Sequence, residues 1–406
     1  LLEIYLKENI KLSSAFRKLR INKLQIFHET LDINHQKKFP PPPVNAASAN
    51  LVFAFGSKDC FKATLAAQLC ERYPKAQITG CSSSGEIIDG DFKTGALQIT
   101  AIKFEQDTKV RILNAAFDAE NILRIAQYLK APDLKCVMLL TEGAKTVNGA
   151  LTNGSIAIKA MREFLPHVPI VGGMASDDNQ FIETFLLTNK GILRNSVTAI
   201  ALYGSKLNVN TTYADGFSVY GPPKTVTKVN KNIVYEINNE PAFKQYKMYI
   251  GKHAAANIPP ENLRHPLMVL SSTDVRKKLK IRAVLGVQDD ALIFGGEINR
   301  QATIRMCHTD EEKLIDAVKM AAQKIIKETA PLKINNQALL FCVSCSGRKF
   351  VLAEKINQEA QILKKVFPKN THIFGFYSYG EFCPTIEGIN SLHNETITML
   401  HLYESK

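Results

Sequence analysis

This sequence predicts an α/β fold: two domains of layered mixed sheets, with an internal strand–helix–strand–turn–strand repeat. Three observations predict it. Short apolar runs such as "LVFAF" (51–55) and "ALLFCVS" (338–344) have the length and composition of buried strands. Such runs alternate with segments whose apolar residues recur at helical spacing. The pattern Gly-x-x-Ser-x-Gly-Glu also occurs twice, as "GCSSSGE" (80–86) and "GFYSYGE" (375–381), each time after strand, helix and strand and before another strand.

Along the chain, residues 1 to about 38 read as a basic, helix-rich arm, and Pro40–Pro43 as a stiff polyproline linker that no helix can cross. The folded body is expected to begin near Asn50. Asp59 is placed to cap a helix over 60–73, with Phe61, Leu65, Leu69 and Tyr73 at steps of four, which Pro74 ends. "AQITG" returns as a strand into the first motif, and "ALQITAIKF" follows as a half-buried strand. "CVMLLT", "VPIVGGMASDD" and "SVTAIALYG" are further strands, with a helix over "LTNGSIAIKAMREFL". Near 207–245 the text turns β-rich, and a domain boundary is expected there. Thr309 and Glu312 form a capping box for a helix over 310–328 whose apolar stripe includes Leu314, Val318, Ala321 and Ile325. "LAEKINQEAQILKKVF", ended by Pro368, is the helix that precedes the second motif.

Composition narrows the function. A chain of 406 residues, 45% hydrophobic and 22% charged, is a globular protein with sizeable cores, and no apolar run reaches the ~18 residues a membrane helix needs. Its charged N-terminal stretch is not a secretory signal, so a cytoplasmic location is expected. Leu1 in place of Met leads us to expect further residues upstream. The net charge of +13 raises nucleic acid as a partner. Yet the basic residues are scattered, and the densest run, "RKKLKIR" (276–282), alternates like a half-exposed strand, so no specific nucleic-acid binding is expected. Eight cysteines, several inside strand patterns, read as reduced small hydrophobes. Cys342 and Cys345 form one CxxC with no second pair to complete a zinc site, and no metal or cofactor is expected.

Two chemistries compete at the glycine motifs. A hydrolase elbow needs Gly-x-Ser-x-Gly on a strand-to-helix turn; Ser84 stands where the second glycine belongs, and a turn and strand follow. Cys81 or Ser83 as a nucleophile is therefore the minor reading. A ligand cradle suits the motif better, because glycine turns let backbone N–H groups converge on an anion. Cys81, Ser82 and Ser83, with Ser378 and Tyr379 in the second copy, would line it. Glu86 and Glu381 would hold an ammonium or fold back onto their own turns. Arg348, after "CSG", would grip a carboxylate or form a structural ion pair with Glu381 or Glu86. Asp177, beyond Gly172 and Gly173, would bind an amine, cap a helix or sit in water.

The chain resembles FIST-domain proteins, an N-terminal FIST half followed by a C-terminal one. The resemblance rests on "GCSSSGEI", "PIVGGMASDD", "CSGRKFVL", "GFYSYGEFCP" and "LHNETITML" in that order and spans about 50–403. It implies a sensory module for signal transduction that binds a small molecule, with amino acids favoured. The domains expected are thus 1–45 (arm and linker), 46–210 (N-terminal FIST half) and 211–406 (C-terminal FIST half). The reading is a non-enzymatic sensor with its pocket between the two motif turns. Arg348 and the glycine turns, Gly172–Gly173 included, would take the ligand's anionic end; Glu381, Glu86 or Asp177 would take the cationic end. A signalling partner docking on residues 1–45 is expected. The rivals are an interaction scaffold with a vestigial pocket and an enzyme using Cys81 or Ser83.

Overall fold

The computed structural model describes residues 24–32, 39–105, 107–143, 152–256, 261–270, 278–330 and 337–405. Three of its sheets share one plan. Each has a central parallel pair: Leu51–Gly56 with Gln77–Ser82, Leu134–Thr141 with Ile170–Met174, and Ala338–Cys345 with Thr371–Ser378. A helix crosses over within each pair, over Leu65–Arg72, Ser155–Phe164 and, in the third, Ser346–Leu352 with Ile356–Val366. Two antiparallel strands extend each sheet on one side: Leu97–Lys103 then Gln25–Leu31, Ser196–Tyr203 then Lys109–Ala116, and Ile397–Glu404 then Leu207–Ala214.

On the other side every sheet is completed by a hairpin from a different unit. The hairpin after the first motif, Glu86–Ile88 with Asp91–Lys93, joins the third sheet. Leu186–Thr188 with Gly191–Leu193 joins the first, and Glu381–Pro384 with Asn390–His393 joins the second. The exchange closes a ring of three.

The sequence displays two copies of the repeat, and the structure has three. Gly80, Gly172 and Gly375 are equivalent, facing Ala54, Leu139 and Cys342 across the parallel pairs. At each, an added Cβ would collide with the facing residue's carbonyl oxygen, which is why only glycine fits. The middle copy is masked because Ala175 and Leu186 stand where the others have Ser83/Ser378 and Glu86/Glu381, and because extra residues precede its hairpin.

The inner faces of the three sheets meet in one core containing Phe53, Phe55, Met138, Leu140, Phe341, Phe374 and Phe376. Phe55 stacks on Phe376 with centroids 4.7 Å apart. Each such side chain contributes roughly 1.5–3 kcal/mol on burial. Outer cores lie between each sheet and its helices. The β-rich segment forms a separate eight-stranded sheet from Ser218–Asn230 to Thr303–His308, inserted into the third unit between Leu207–Ala214 and the helix Glu311–Thr329. Lys278–Arg282, the described part of the basic run, is its edge strand. No described helix is long and apolar enough to cross a membrane.

Several local expectations are corrected. Gln25–Leu31, taken as helical arm, is a strand of the first sheet, and its Glu29 is clasped by Arg72 and Tyr73. The remainder of the arm, 1–23 and 33–38, lies outside the described residues. Asp59 belongs to a 3-10 turn, and the helix begins only at Leu65. The cap of Glu311–Thr329 is Asp310, which accepts from Lys313 N at 2.9 Å, while Thr309 donates to Gly216 O.

The glycine contacts set an expectation. Gly172→Ala and Gly375→Ala should each cost several kcal/mol or abolish folding, because backbone rather than a movable side chain blocks the Cβ. Gly286→Ala meets nothing within 4 Å and should stay within about 0.5 kcal/mol of wild type in urea denaturation.

Candidate functional site

The three motif turns do converge, but they interlock rather than enclose a hollow. Ser84 N donates to Tyr377 O and Tyr377 N to Gly85 O, while Met174 N donates to Gly380 O and Tyr379 N to Met174 O. Ser82 N donates to Phe185 O, and its Oγ accepts from Phe185 N. Ser176 joins the ring through its Oγ to Tyr377 O at 2.6 Å. Ser82 and Tyr379, two of the positions offered as a cradle, are engaged in this interlocking. Ser83 Oγ donates to Glu86, and Ser378 Oγ donates to Glu381 at 2.7 Å. The Gly-x-x-Ser-x-Gly-Glu motif is thus a device by which a buried glutamate is held by its own serine. The middle unit, with Ala175 and Leu186, lacks both partners together.

The remaining candidates fare similarly. Cys81 is wholly buried in the central core, and burial raises its thiol well above the usual range, so it is not a reactive thiolate. Cys342 is equally buried, and all eight cysteines are free thiols. Gly173 packs against Val343 and Ser378. Asp177 accepts from Tyr379 Oη and from the N–H groups of Phe181, Ile182 and Glu183, which closes its loop. Asp178 pairs with Lys349 at 2.7 Å. Arg348 does not face a cavity. It is fully buried, with Nε 2.9 Å from Glu359 and its other donors on Asp215 O and Leu314 O. Its ion-pair partner is Glu359, which also accepts from Ser344 and Tyr377, and not Glu381 or Glu86.

A cavity of about 230 Å³ lies instead beside the third turn, where the inserted β-domain meets the three-unit body. The body supplies Asn179, Phe181, Cys345, Ser346, Gly347, Tyr379, Asn394 and Glu395, and the β-domain Asn262, Leu263 and 283–285. Of the predicted residues only Tyr379 lines it, stacked on Phe181 at 4.2 Å. A larger groove of about 750 Å³ runs past Thr211–Phe217, Met320 and Ile386, but no described lining residue there has an unpartnered buried polar atom.

The first cavity does. Glu395 is fully buried, and neither carboxyl oxygen has a hydrogen-bond partner. Asn262, also fully buried, donates its Nδ2 to Val284 O and leaves Oδ1 unpartnered. Buried polar atoms are normally paired, so three polar oxygens without hydrogen-bond partners in one cavity ask for a ligand.

Glu395 also occupies a costly conformation. Counting from the residues that face the three key glycines' partners, Gly95, Asn195 and Glu395 are equivalent, each four residues before Ile99, Ala199 or Met399. All three are left-handed, with φ of 78°, 47° and 57°. Gly and Asn suit that region; a glutamate there costs about 1–2 kcal/mol. Gly347 makes room for its carboxyl, since a Cβ on Gly347 would collide with it. Burial and then the neighbouring Glu381 push Glu395 up to about 8, and burial pushes Glu381 up to about 8 against its bonds from Ser378 and Thr396. Glu395 lies within "LHNETITML", where the Asn–Glu pair at the strand entrance is its one sequence signal.

Comparison with known proteins places most of the chain in two family models. The FIST N domain model matches residues 50–240, and the FIST C domain model matches 242–384. A protein of Methanocaldococcus jannaschii, described as uncharacterized, is 23% identical over 230 residues, which is 53% of this chain and 41% of that relative's length. Two solved structures align over 94% of this chain and 99% of their own: a chorismatase at 6% identity and TM-score 0.32, and a cyanuric acid hydrolase from A. caulinodans at 9% and 0.36.

Two outcomes follow from these environments. Arg348→Ala should destabilise by roughly 3–5 kcal/mol in denaturant, because it leaves Glu359 buried without its cation. Stability should also fall as pH rises from about 6.5 to 8. Glu86, Glu381 and Glu395 at about 8, and Glu142 at about 7, keep a proton when folded that they lose when unfolded. His393 and His401, held at about 4, act oppositely but only below pH 6.5. Lys280, lowered to about 7 by Arg282 and burial, opposes with a single proton above that. Glu395→Gln should make the decline shallower by up to about 1.4 kcal/mol per pH unit; an unchanged slope would contradict the assignment.

Proposed function

This chain belongs to the FIST family, and on that premise we propose that it senses a small amine-bearing metabolite in the cavity between the three-unit body and the inserted β-domain. FIST domains are small-ligand sensory domains of signal transduction. The observation that carries the reading is the set of unpartnered acceptors, Glu395 Oε1 and Oε2 with Asn262 Oδ1. An ammonium has three donors and no acceptor. Glu395 takes the charge, and Asn262 accepts a further N–H. Among the described lining residues there is no lysine or arginine, so the anionic end of an amino acid falls to the side-chain amides of Asn179, whose Oδ1 is oriented by the Ser346 hydroxyl, and Asn394. Phe181, Tyr379 and Phe350 supply apolar walls.

The size is consistent. About 230 Å³ is below the roughly 300 Å³ at which drug-sized pockets begin and suits a metabolite of about ten heavy atoms. Micromolar binding of such a ligand needs about −8 kcal/mol, close to the ceiling per atom for small ligands, so the site must be enclosed and charge-assisted. The placement suits a sensor: a ligand touching both bodies favours the arrangement in which they close on it, and only such differential contact shifts a conformational equilibrium. Cys81 and Ser83, the nucleophiles of the enzymatic rival, do not line the cavity.

A thermal-shift series of amino acids and simple amines against matched carboxylates tests this. An amine at about 100 times its dissociation constant adds about 2.7 kcal/mol, and Glu395→Gln and Asn262→Leu should remove that response while remaining folded. Because the cation demands an ionised Glu395, affinity should climb up to about tenfold per unit between pH 6 and 8. A response confined to carboxylates, or one indifferent to both substitutions, would sink the reading.

A further inference from the structure

Away from the cavity, three side chains from three separate strand regions meet: His28 on Gln25–Leu31, Asp89 at the tip of the first unit's hairpin, and His372 on Thr371–Ser378. Their ligand atoms all lie within 4.8 Å of one another, with His28 Nε2 3.8 Å from Asp89 Oδ1. Asp89 is fixed by its backbone N–H to Ile373 O at 2.8 Å and by Ile373 N to its Oδ1 at 2.9 Å. His28 Nδ1 lies 3.0 Å from Thr100 Oγ1, which sets the ring. His28 Nε2 and His372 Nδ1 are both buried without a hydrogen-bond partner, and the rings are 5.4 Å apart. The groups facing the cluster are Thr100 and Lys364, whose Nζ is 3.4 Å from Asp89 Oδ1.

We propose that His28, Asp89 and His372 bind a divalent transition-metal ion such as Zn²⁺, which ties the N-terminal strand to the hairpin and to the third sheet. Two imidazole nitrogens and a carboxylate are a donor set of the kind zinc and its neighbours favour, with water completing the sphere. Zinc needs its N and O donors at ~2.0–2.2 Å, so the three groups close by roughly 1 Å on binding. The half-exposed Asp89 and Lys364 leave the entry open. The ion satisfies both orphan nitrogens and displaces the Lys364 ammonium from Asp89. The Thr100 contact on the far side of His28 is the kind of support that orients a metal-bound ring.

The test uses the full chain treated with chelator and then titrated with Zn²⁺ by calorimetry, and with Co²⁺ by visible absorption. One equivalent should bind with micromolar or tighter affinity and raise the melting temperature. His28→Ala and His372→Ala should each weaken binding at least tenfold, and Lys364→Met should tighten it severalfold. No saturable binding, or binding that both histidine variants retain, overturns the site. If a histidine variant fails to fold, Lys364→Met decides: tighter binding supports the site, and unchanged or weaker binding overturns it.

Discussion

No sheet in the body of this protein is complete without a strand pair from another unit. A sheet edge left open presents unpaired N–H and C=O groups, and here each unit closes its neighbour's edge while its own is closed by the other. The three hairpins therefore dock together, and the turns that launch them interlock through Ser84, Tyr377, Met174, Gly380 and Ser82. The glycines at 80, 172 and 375 are conditions of this arrangement, because the parallel strands approach too closely there for any side chain. The last described strand, Ile397–Glu404, pairs with both Ala338–Cys345 and Leu207–Ala214, so the third unit closes around the inserted domain rather than ending before it.

Much of this architecture was legible in the sequence, and what was missed has physical causes. "LVFAF" and "ALLFCVS" read as strands because buried parallel strands are apolar on both faces, and the two Ser–Glu motifs were visible because their buried carboxyls need a local donor. The middle unit needs none: with Leu186 in place of the glutamate the serine is dispensable, and Ala175 erases the signature. Gln25–Leu31 has too weak an alternation to show itself as an edge strand, and its preceding residues argued for helix. Hairpin exchange leaves no trace in a linear pattern.

The site was less legible for related reasons. Arg348 follows a glycine after a strand, which suggested a guanidinium free to grip a ligand carboxylate or paired with Glu381 or Glu86, but the helix Glu311–Thr329 and Glu359 cover it. Asn262 and Ala283–Leu285 come from the inserted domain, remote in sequence from Cys345 and Glu395, and only the fold brings them together. Glu395 stands out through its backbone conformation and its lack of partners, and neither property is written in residue spacing.

Three of the body's buried glutamates have the same raised affinity for a proton, yet they differ in what surrounds them. Glu86 and Glu381 each have a serine one turn away, so their cost is offset locally and they serve the scaffold. Glu395 has none, and its backbone is held where the equivalent Gly95 and Asn195 rest easily. Strain and desolvation at one residue persist only where surrounding structure enforces them. Here Gly347 leaves the space, the inserted domain supplies the roof, and Asn262 adds a further acceptor. Where the three inner faces of the body meet, the described residues are packed apolar side chains, among them Phe53, Phe55, Met138, Leu140, Phe341, Phe374 and Phe376. The asymmetry introduced by one inserted domain at one corner is what turns a packed scaffold into a cavity with an unmet need for donors.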